Sequence, residues 1–324
     1  MGSFFMLIFC YDHIMKKILV TDSLFIHDSQ IARFQDAGYE VERLNEVQAT
    51  EDQLVEAIKG KVGYILGGIE KVTARIIEAA DELKVISFTG IAYKDFIPAW
   101  ELATEKGIAI SNAPSGPTYA VAEWAVTSAL MMNRHFLELG NTGKDDFMTT
   151  PGLEGQRIGI IGYGRIGQEI ARMVQPFKPS RVTYTSLHRH DNIEALAEFV
   201  CMEELLGNND VIFLCVSTEA GMGYISADMF TQMNDGTLLV SFTHAGVIDS
   251  DALLKDLQAK RLRAVTDNPM KDEAFKKLPL SHWFSFNGSN AFNTAAGSNR
   301  TSDIVTNTML NVLEGKEDAF IVNR

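Results

Sequence analysis

Cysteine is scarce: only Cys10, Cys201 and Cys215 occur in 324 residues, with no CxxC or other metal-type spacing. A disulfide framework is thereby excluded, and reduced thiols in a cytoplasmic protein are expected. Cationic charge is also short, with 29 Lys and Arg against 42 Asp and Glu and a net charge of −13. Such a surface repels phosphate backbones and anionic lipid, so neither nucleic acid nor a membrane is an expected partner. An anionic ligand would have to be held locally, by helix N-termini, loop N–H groups or a few placed cations. No apolar run is long enough to span a bilayer; the stretch 4–10 has no Lys or Arg before it and is followed by Asp12 and His13, a poor signal peptide. Residues 1–14 are read as an N-terminal extension or a misassigned start. Low-complexity tracts and short-period repeats are missing as well.

What is present is an ordinary globular composition, 46% hydrophobic and 22% charged, in a chain long enough for two domains. From Lys17 to Asn112 short apolar runs alternate with amphipathic segments. Strands are predicted at 18–20, 39–41, 64–66, 85–88 and 108–110, with helices over 30–37, 51–59, 74–80 and 100–106, the pattern of βαβ units in a parallel sheet. A long apolar helix over 119–136 and a polar, glycine-bearing connection over 140–155 follow. The alternation then restarts, with strands at 158–161, 182–184, 211–216, 238–242 and 262–265. The last amphipathic segment, 299–313, has no strand of its own and is expected to pack back on the first domain.

The sharpest chemical signal is Gly162-Tyr163-Gly164-Arg165-Ile166-Gly167, directly after a strand and opening a helix. In that context GxGxxG is a dinucleotide loop. Gly162 makes the tight turn, Gly164 lets backbone approach a pyrophosphate, Gly167 allows close helix–strand packing, and the helix N-terminus supplies N–H groups and dipole. An NAD site would carry a carboxylate at the end of the next strand. Here Thr185 stands there, followed by Ser186, His188 and Arg189. Hydroxyls and cations suit the extra phosphate of NADP, so the expected cofactor is NADP, or else NAD; Arg189 could equally be a solvated loop residue.

Beyond the loop, three further stretches carry a resemblance. They are Thr89-Gly-Ile91-Ala92-Tyr93-Lys94-Asp, Asn112-Ala-Pro-Ser-Gly-Pro-Thr118, and Gly236-Thr-Leu-Leu-Val-Ser-Phe-Thr243-His244-Ala-Gly. With them the chain from about Lys16 resembles the D-isomer-specific 2-hydroxyacid dehydrogenases, a group including glyoxylate/hydroxypyruvate reductases and 3-phosphoglycerate dehydrogenases. The resemblance implies an α/β protein of two doubly wound parallel-sheet domains, a Rossmann nucleotide-binding domain (115–294) inserted into a flavodoxin-like substrate domain (15–114 and 295–324). It also implies a homodimer built on the nucleotide domains and a small-molecule substrate. Thr118, Thr243 and Asp267 would lie near the nicotinamide, Val216, Ser217 and Thr218 near the adenosine, and Ile91, Ala92 and Tyr93 near the substrate.

Reduction of a 2-oxo acid requires a proton donor, a cation for the carboxylate and usually a carboxylate that orients the donor. The family supplies His, Arg and Glu. Here His244 stands at the Arg position, Asp272 (or Glu273) at the Glu position, and the His position falls near Asn287, Gly288 or Ser289. A histidine cannot form a bidentate fork to a carboxylate. One compensating arrangement makes His244, paired with Asp272, the proton donor and Lys94 the replacement cation, with Asn287 and Asn290 as neutral hydrogen-bonding groups. Lys94 reads equally as a solvated lysine and Asp272 as part of a solvated charged run. His282 could pack as readily as act. The sequence therefore points to an NAD(P)-dependent oxidoreductase acting on a small 2-oxo or 2-hydroxy acid or a related carbonyl compound. The competing reading is a catalytically silent dinucleotide-binding sensor or partner subunit.

Overall fold

A computed structural model describes residues 15–21, 26–45, 48–142, 149–190, 196–286, 288 and 290–324. The extension 1–14 and Asn287 lie outside the described residues. The chain folds as two compact units, one formed by residues up to Gly116 together with Ser298–Arg324, the other by Pro117–Gly297. The boundaries expected from the sequence, after residues 114 and 294, differ from these by two and three residues.

The first unit holds a parallel sheet of β1 (Lys16–Thr21), β2 (Tyr39–Leu44), β3 (Lys61–Leu66), β4 (Val85–Phe88) and β5 (Ala109–Ser111), in the order β2-β1-β3-β4-β5. β3 and β4 are buried along their whole length, as strands covered on both faces must be, which is why they read as continuous apolar runs rather than alternating ones. The C-terminal helix Ala295–Leu313 has no strand to serve; its Val305 and Met309 pack against Ile18 and Val20. Gly63 in β3 makes room for it, since a Cβ there would stand 2.7 Å from the Met309 sulfur. The tail then seals the β5 edge: Val322 N–H donates to the Ile110 carbonyl (2.8 Å) and Ile110 N–H to Asn323 Oδ1 (2.7 Å).

The second unit is a seven-stranded parallel sheet: β6 (Arg157–Ile161), β7 (Arg181–Thr185), β8 (Glu198–Phe199), β9 (Val211–Leu214), β10 (Leu238–Ser241), β11 (Arg263–Thr266) and β12 (Trp283–Ser285). Its order is β12-β11-β10-β9-β6-β7-β8. The chain leaves β6 towards β7 and β8, then crosses back to β9 on the other side. The crevice at the carboxyl ends of β6 and β9 is therefore the topological switch point, where open α/β sheets bind ligands. The helix Thr118–Asn133 lies against the helix Arg165–Val174, with Ala122, Ala125 and Ala129 in the same core as Ile170, Ala171 and Val174. Alanines on the first helix bring the two axes close.

The edge strands β8 and β12 and the helical turn Tyr93–Phe96 were absent from the sequence expectation. Each has two to four residues, too few to display a period. The start of the expected polar connection is instead helical, Phe136–Thr142.

Candidate active site

The turn after β6 is built around its three glycines. Gly162 has φ +93°, a left-handed conformation that favours glycine. It is wedged between the neighbouring strands: its N–H donates to the Thr185 carbonyl (2.8 Å), while Cys215 N–H donates to Ile161 O (2.7 Å). A Cβ on Gly162 would lie 2.7 Å from Cys215 O, and one on Gly167 only 2.3 Å from Gly162 O. Protein backbone thus demands both. Gly164 differs, because nothing lies within 4 Å of where its Cβ would stand. It is exposed, caps the helix Arg165–Val174, and leaves open the approach that a pyrophosphate needs. Gln168 Nε2 holds the turn by donating to Tyr163 O (2.9 Å). Exposed Arg165 opens the helix, where the dipole opposes a cation, and a bound anion would offset that opposition. These residues fit a dinucleotide phosphate group.

Tyr163 joins the site through its backbone alone. Its ring is 1% exposed and stacks on Tyr184, with centroids 3.8 Å apart. Burial, followed by the neighbouring Tyr184, pushes the Tyr163 hydroxyl up to about 12. Ile166 likewise turns partly into the core. Tyr163 therefore belongs to the loop expected to bind the cofactor, with its ring in the core.

Around the crevice, Thr185 ends β7 half-buried, the Ser186 hydroxyl donates to the His188 carbonyl, and His188 and Arg189 are exposed. The Arg189 guanidinium lies 6.0 Å from the Phe199 ring centroid. Val216 and Ser217 follow β9, and Thr218 opens a 3-10 turn, Thr218–Ala220. Burial pushes the Cys215 thiol far up, so it is no nucleophile.

The loops after β10 and β11 are pinned to each other. Asn268 Nδ2 donates to Thr243 O (2.8 Å), its own carbonyl accepts from the Thr266 hydroxyl (2.8 Å), and the Ser241 and Thr243 hydroxyls meet at 3.0 Å. His244 follows, exposed, and caps the turn Ala245–Val247 by accepting the Gly246 N–H at Nδ1 (3.1 Å). That bond selects the neutral tautomer with its hydrogen on Nε2, a donor.

The expected His244–Asp272 pair does not form among the described residues. The Asp272 carboxylate caps the 3-10 turn Glu273–Lys277, accepting from Ala274 N–H (2.8 Å), and Glu273 pairs with Lys276 (2.7 Å). Asp267, expected at the nicotinamide, is 3% exposed, and its two carboxylate oxygens accept from the Asn290 and Ala291 N–H groups, each at 2.9 Å. Its side chain braces the loop that exposes Asn290. Thr118 is the first residue of its helix. His282 sits at the amino end of β12, on the opposite edge of the sheet, where burial and then Lys260 and Arg263 lower its pKa.

In the first unit, Ile91 and Ala92 are exposed on a loop tied down by Asn112 Nδ2 to Ile91 O and Ala113 N to Gly90 O, both 2.9 Å. Tyr93 turns inward, its hydroxyl donating to Val322 O (3.4 Å). The Lys94 ammonium stands over the Trp100 ring, 4.8 Å from its centroid. Asn268 and Gln168, the residues that hold the turns in shape, were missed in the sequence; Asn268 bonds to a carbonyl 25 residues away, which no local pattern reveals. Among the described residues, no group of three or more His, Cys, Asp or Glu could hold a metal ion, and no helix is long and apolar enough to cross a membrane.

The strand order and the glycine turn define the second unit as a doubly wound, dinucleotide-binding type of fold. Residues 125–285 match the NAD binding domain of the D-isomer specific 2-hydroxyacid dehydrogenases. A hydroxypyruvate reductase of Thermotoga maritima is 31% identical over 238 residues, covering 70% of this chain and 76% of that one. A D-3-phosphoglycerate dehydrogenase of Methanocaldococcus jannaschii is 30% identical over 319 residues, covering 95% of this chain but 60% of that one. The chain spans 50–60% of the length of the phosphoglycerate dehydrogenases that it matches. Among solved structures, D-2-hydroxyisocaproate dehydrogenase shares the fold with a TM-score of 0.83 at 21% identity, over 95% of this chain and 100% of that one. The chain belongs to the D-isomer specific 2-hydroxyacid dehydrogenase family.

Proposed function

We propose that the protein is a nicotinamide-nucleotide-dependent oxidoreductase that interconverts a small 2-oxo acid, or a related carbonyl compound, and its hydroxy form, with His244 as the group that serves the carbonyl oxygen. The observation that carries this reading is the fixed imidazole. His244 follows β10 on the same sheet edge as the glycine turn, is exposed, and has Nδ1 engaged by Gly246, which leaves Nε2–H as a directed donor. The nicotinamide, when bound, supplies or takes up the hydride. The chain's own residues do the rest: Gly164, Arg165 and the helix N-terminus hold phosphate, and the exposed Ile91 and Ala92, with Asn290, are proposed to border the substrate. Asn287 is a further candidate from the sequence. His244 Nε2–H donates a hydrogen bond to the carbonyl oxygen and stabilises the charge that the arriving hydride creates there, while water supplies the proton the oxygen takes up and removes it in the reverse direction. Lys94 is the proposed cation for a carboxylate, and leaving Trp100 for it would cost the ring contact.

NADP is the proposed cofactor. Its support is the absence of a carboxylate at Thr185 and the exposed His188 and Arg189 that follow. The assembly proposed is a homodimer, which sedimentation of the purified protein tests. The activity is tested by following NADPH and NADH oxidation against glyoxylate, hydroxypyruvate and pyruvate beside neutral aldehydes and ketones, with nucleotide binding followed by fluorescence. Turnover of any of these compounds supports an oxidoreductase. Nucleotide binding without turnover of any overturns it.

A further inference from the structure

His244 has a neighbour that the phosphate and substrate motifs leave unassigned. Met222 stands between Gly221 (φ +100°) and Gly223 (φ +67°), two left-handed residues that turn the chain at that point. The segment just after it is zipped to the turn that His244 caps: Gly223 N–H donates to Gly246 O (2.8 Å), Ile225 N–H to Val247 O (2.9 Å) and Asp249 N–H to Ile225 O (2.9 Å). Met222 is therefore anchored at one end relative to His244. Its thioether lies on Gly246, where an added Cβ would fall 2.1 Å from Met222 Cε, 2.6 Å from its sulfur and 3.1 Å from His244 Nδ1. Yet the side chain is 77% exposed, on the sheet edge that carries the glycine turn. Water contact on that scale is unfavourable for an apolar group and is relieved when a ligand covers it. Methionine suits such a place because its unbranched, polarizable side chain adapts to several shapes.

We infer that Met222 is a specificity-determining residue, the adaptable apolar wall against which the substituent on the carbonyl carbon rests while His244 Nε2–H reaches the oxygen. The inference builds on the reductase reading and narrows it to carbonyl compounds with an apolar substituent.

Two measurements test it separately from that reading. The first compares kcat/KM for 2-oxo-4-methylpentanoate with that for glyoxylate in the wild type and in Met222→Ala, Met222→Gln and Met222→Leu. The ratio is expected to fall about tenfold in the Ala and Gln variants, the scale of a methylene-sized pocket contact, and to be kept by Leu. An unchanged ratio in all three overturns the inference. The second is peroxide footprinting of the wild type by mass spectrometry, free and holding reduced nucleotide with 2-hydroxy-4-methylpentanoate. Slower oxidation of Met222 in the complex supports the inference even without turnover, and equal oxidation overturns it. Lack of turnover with every oxo acid overturns the reductase reading instead.

Discussion

The turn after β6 and the turn after β10 lie on the same edge of one sheet and are built in opposite ways. In the first, backbone fills the space where side chains would be: Cys215 O stands 2.7 Å from a Gly162 Cβ and Gly162 O 2.3 Å from a Gly167 Cβ. Almost any substitution there collides with main chain that cannot move aside. In the second, the proposed chemistry rests on one exposed imidazole that accepts a single N–H bond, on a loop whose Thr243 carbonyl is held by Asn268. Side chains at such a turn can change while the scaffold stays, and His244 stands where the resemblance leads one to expect the family's arginine. The comparison teaches that main-chain crowding fixes the residues of the binding turn, whereas the proposed reaction turn rests on side-chain hydrogen bonds.

The largest effect expected is on the reaction turn. His244→Ala should lower kcat by about two to three orders of magnitude, the usual contribution of a hydrogen-bond donor to a developing oxyanion, and change nucleotide affinity less than about threefold. Steady-state kinetics beside fluorescence titration would separate the two; equal loss of both would erase the contrast between the turns. Conversely, Gly167→Ala should weaken nucleotide binding about a hundredfold and lower the melting temperature, because the collision is with backbone and overpacking costs about 1–3 kcal/mol before the turn is displaced. A variant with wild-type affinity would show that this turn yields as readily as the other.

A smaller change sharpens the binding side. Thr185→Asp should move preference from NADPH towards NADH by about tenfold, since a carboxylate accepts from the ribose hydroxyls and repels the extra phosphate. Equal affinities before and after would remove the support for NADP. The smallest effect is far from both turns. At the amino end of β6, burial pulls the Asp210 carboxyl up, but the Arg157 side chain and N–H outweigh it and hold it below the usual carboxylate range. A depressed folded-state pKa stabilises above the unfolded value, near pH ~4, and that contribution is lost as pH falls through the folded one. Asp210→Asn should flatten this acid limb in melts between about pH 2 and 4 and leave nucleotide affinity at pH 7 unaltered.

Much of the fold was legible because parallel strands buried on both faces are short apolar runs, and their alternation with amphipathic helices needs no partner to be seen. The edge strands β8 and β12, two and three residues long, escaped because their strand character comes from pairing with a neighbour. The phosphate turn was legible for a related reason: its glycines encode a backbone shape locally, and shape is most of its function.

The reaction turn was legible only as positions. Sequence brought His244 and Asp272 forward as a pair, and chain geometry gave Asp272 to the first turn of its own 3-10 helix instead. The folded chain adds what no local pattern shows, that Asp267 braces residues 290–291 and the Tyr163 ring stacks on Tyr184.

The sequence by itself determined the layered α/β fold and the place of the nucleotide turn, properties written within a few residues of one another. Only the tertiary structure decided which carboxylates stay free, which nitrogen of His244 carries the hydrogen, and that Met222 rests beside it. The first two depend in part on turns two residues long whose shape the surrounding fold sets, and the place of Met222 and the bonds of Asp267 on contacts between residues distant in the chain, which exist only after the sheet has brought its strand ends to one edge.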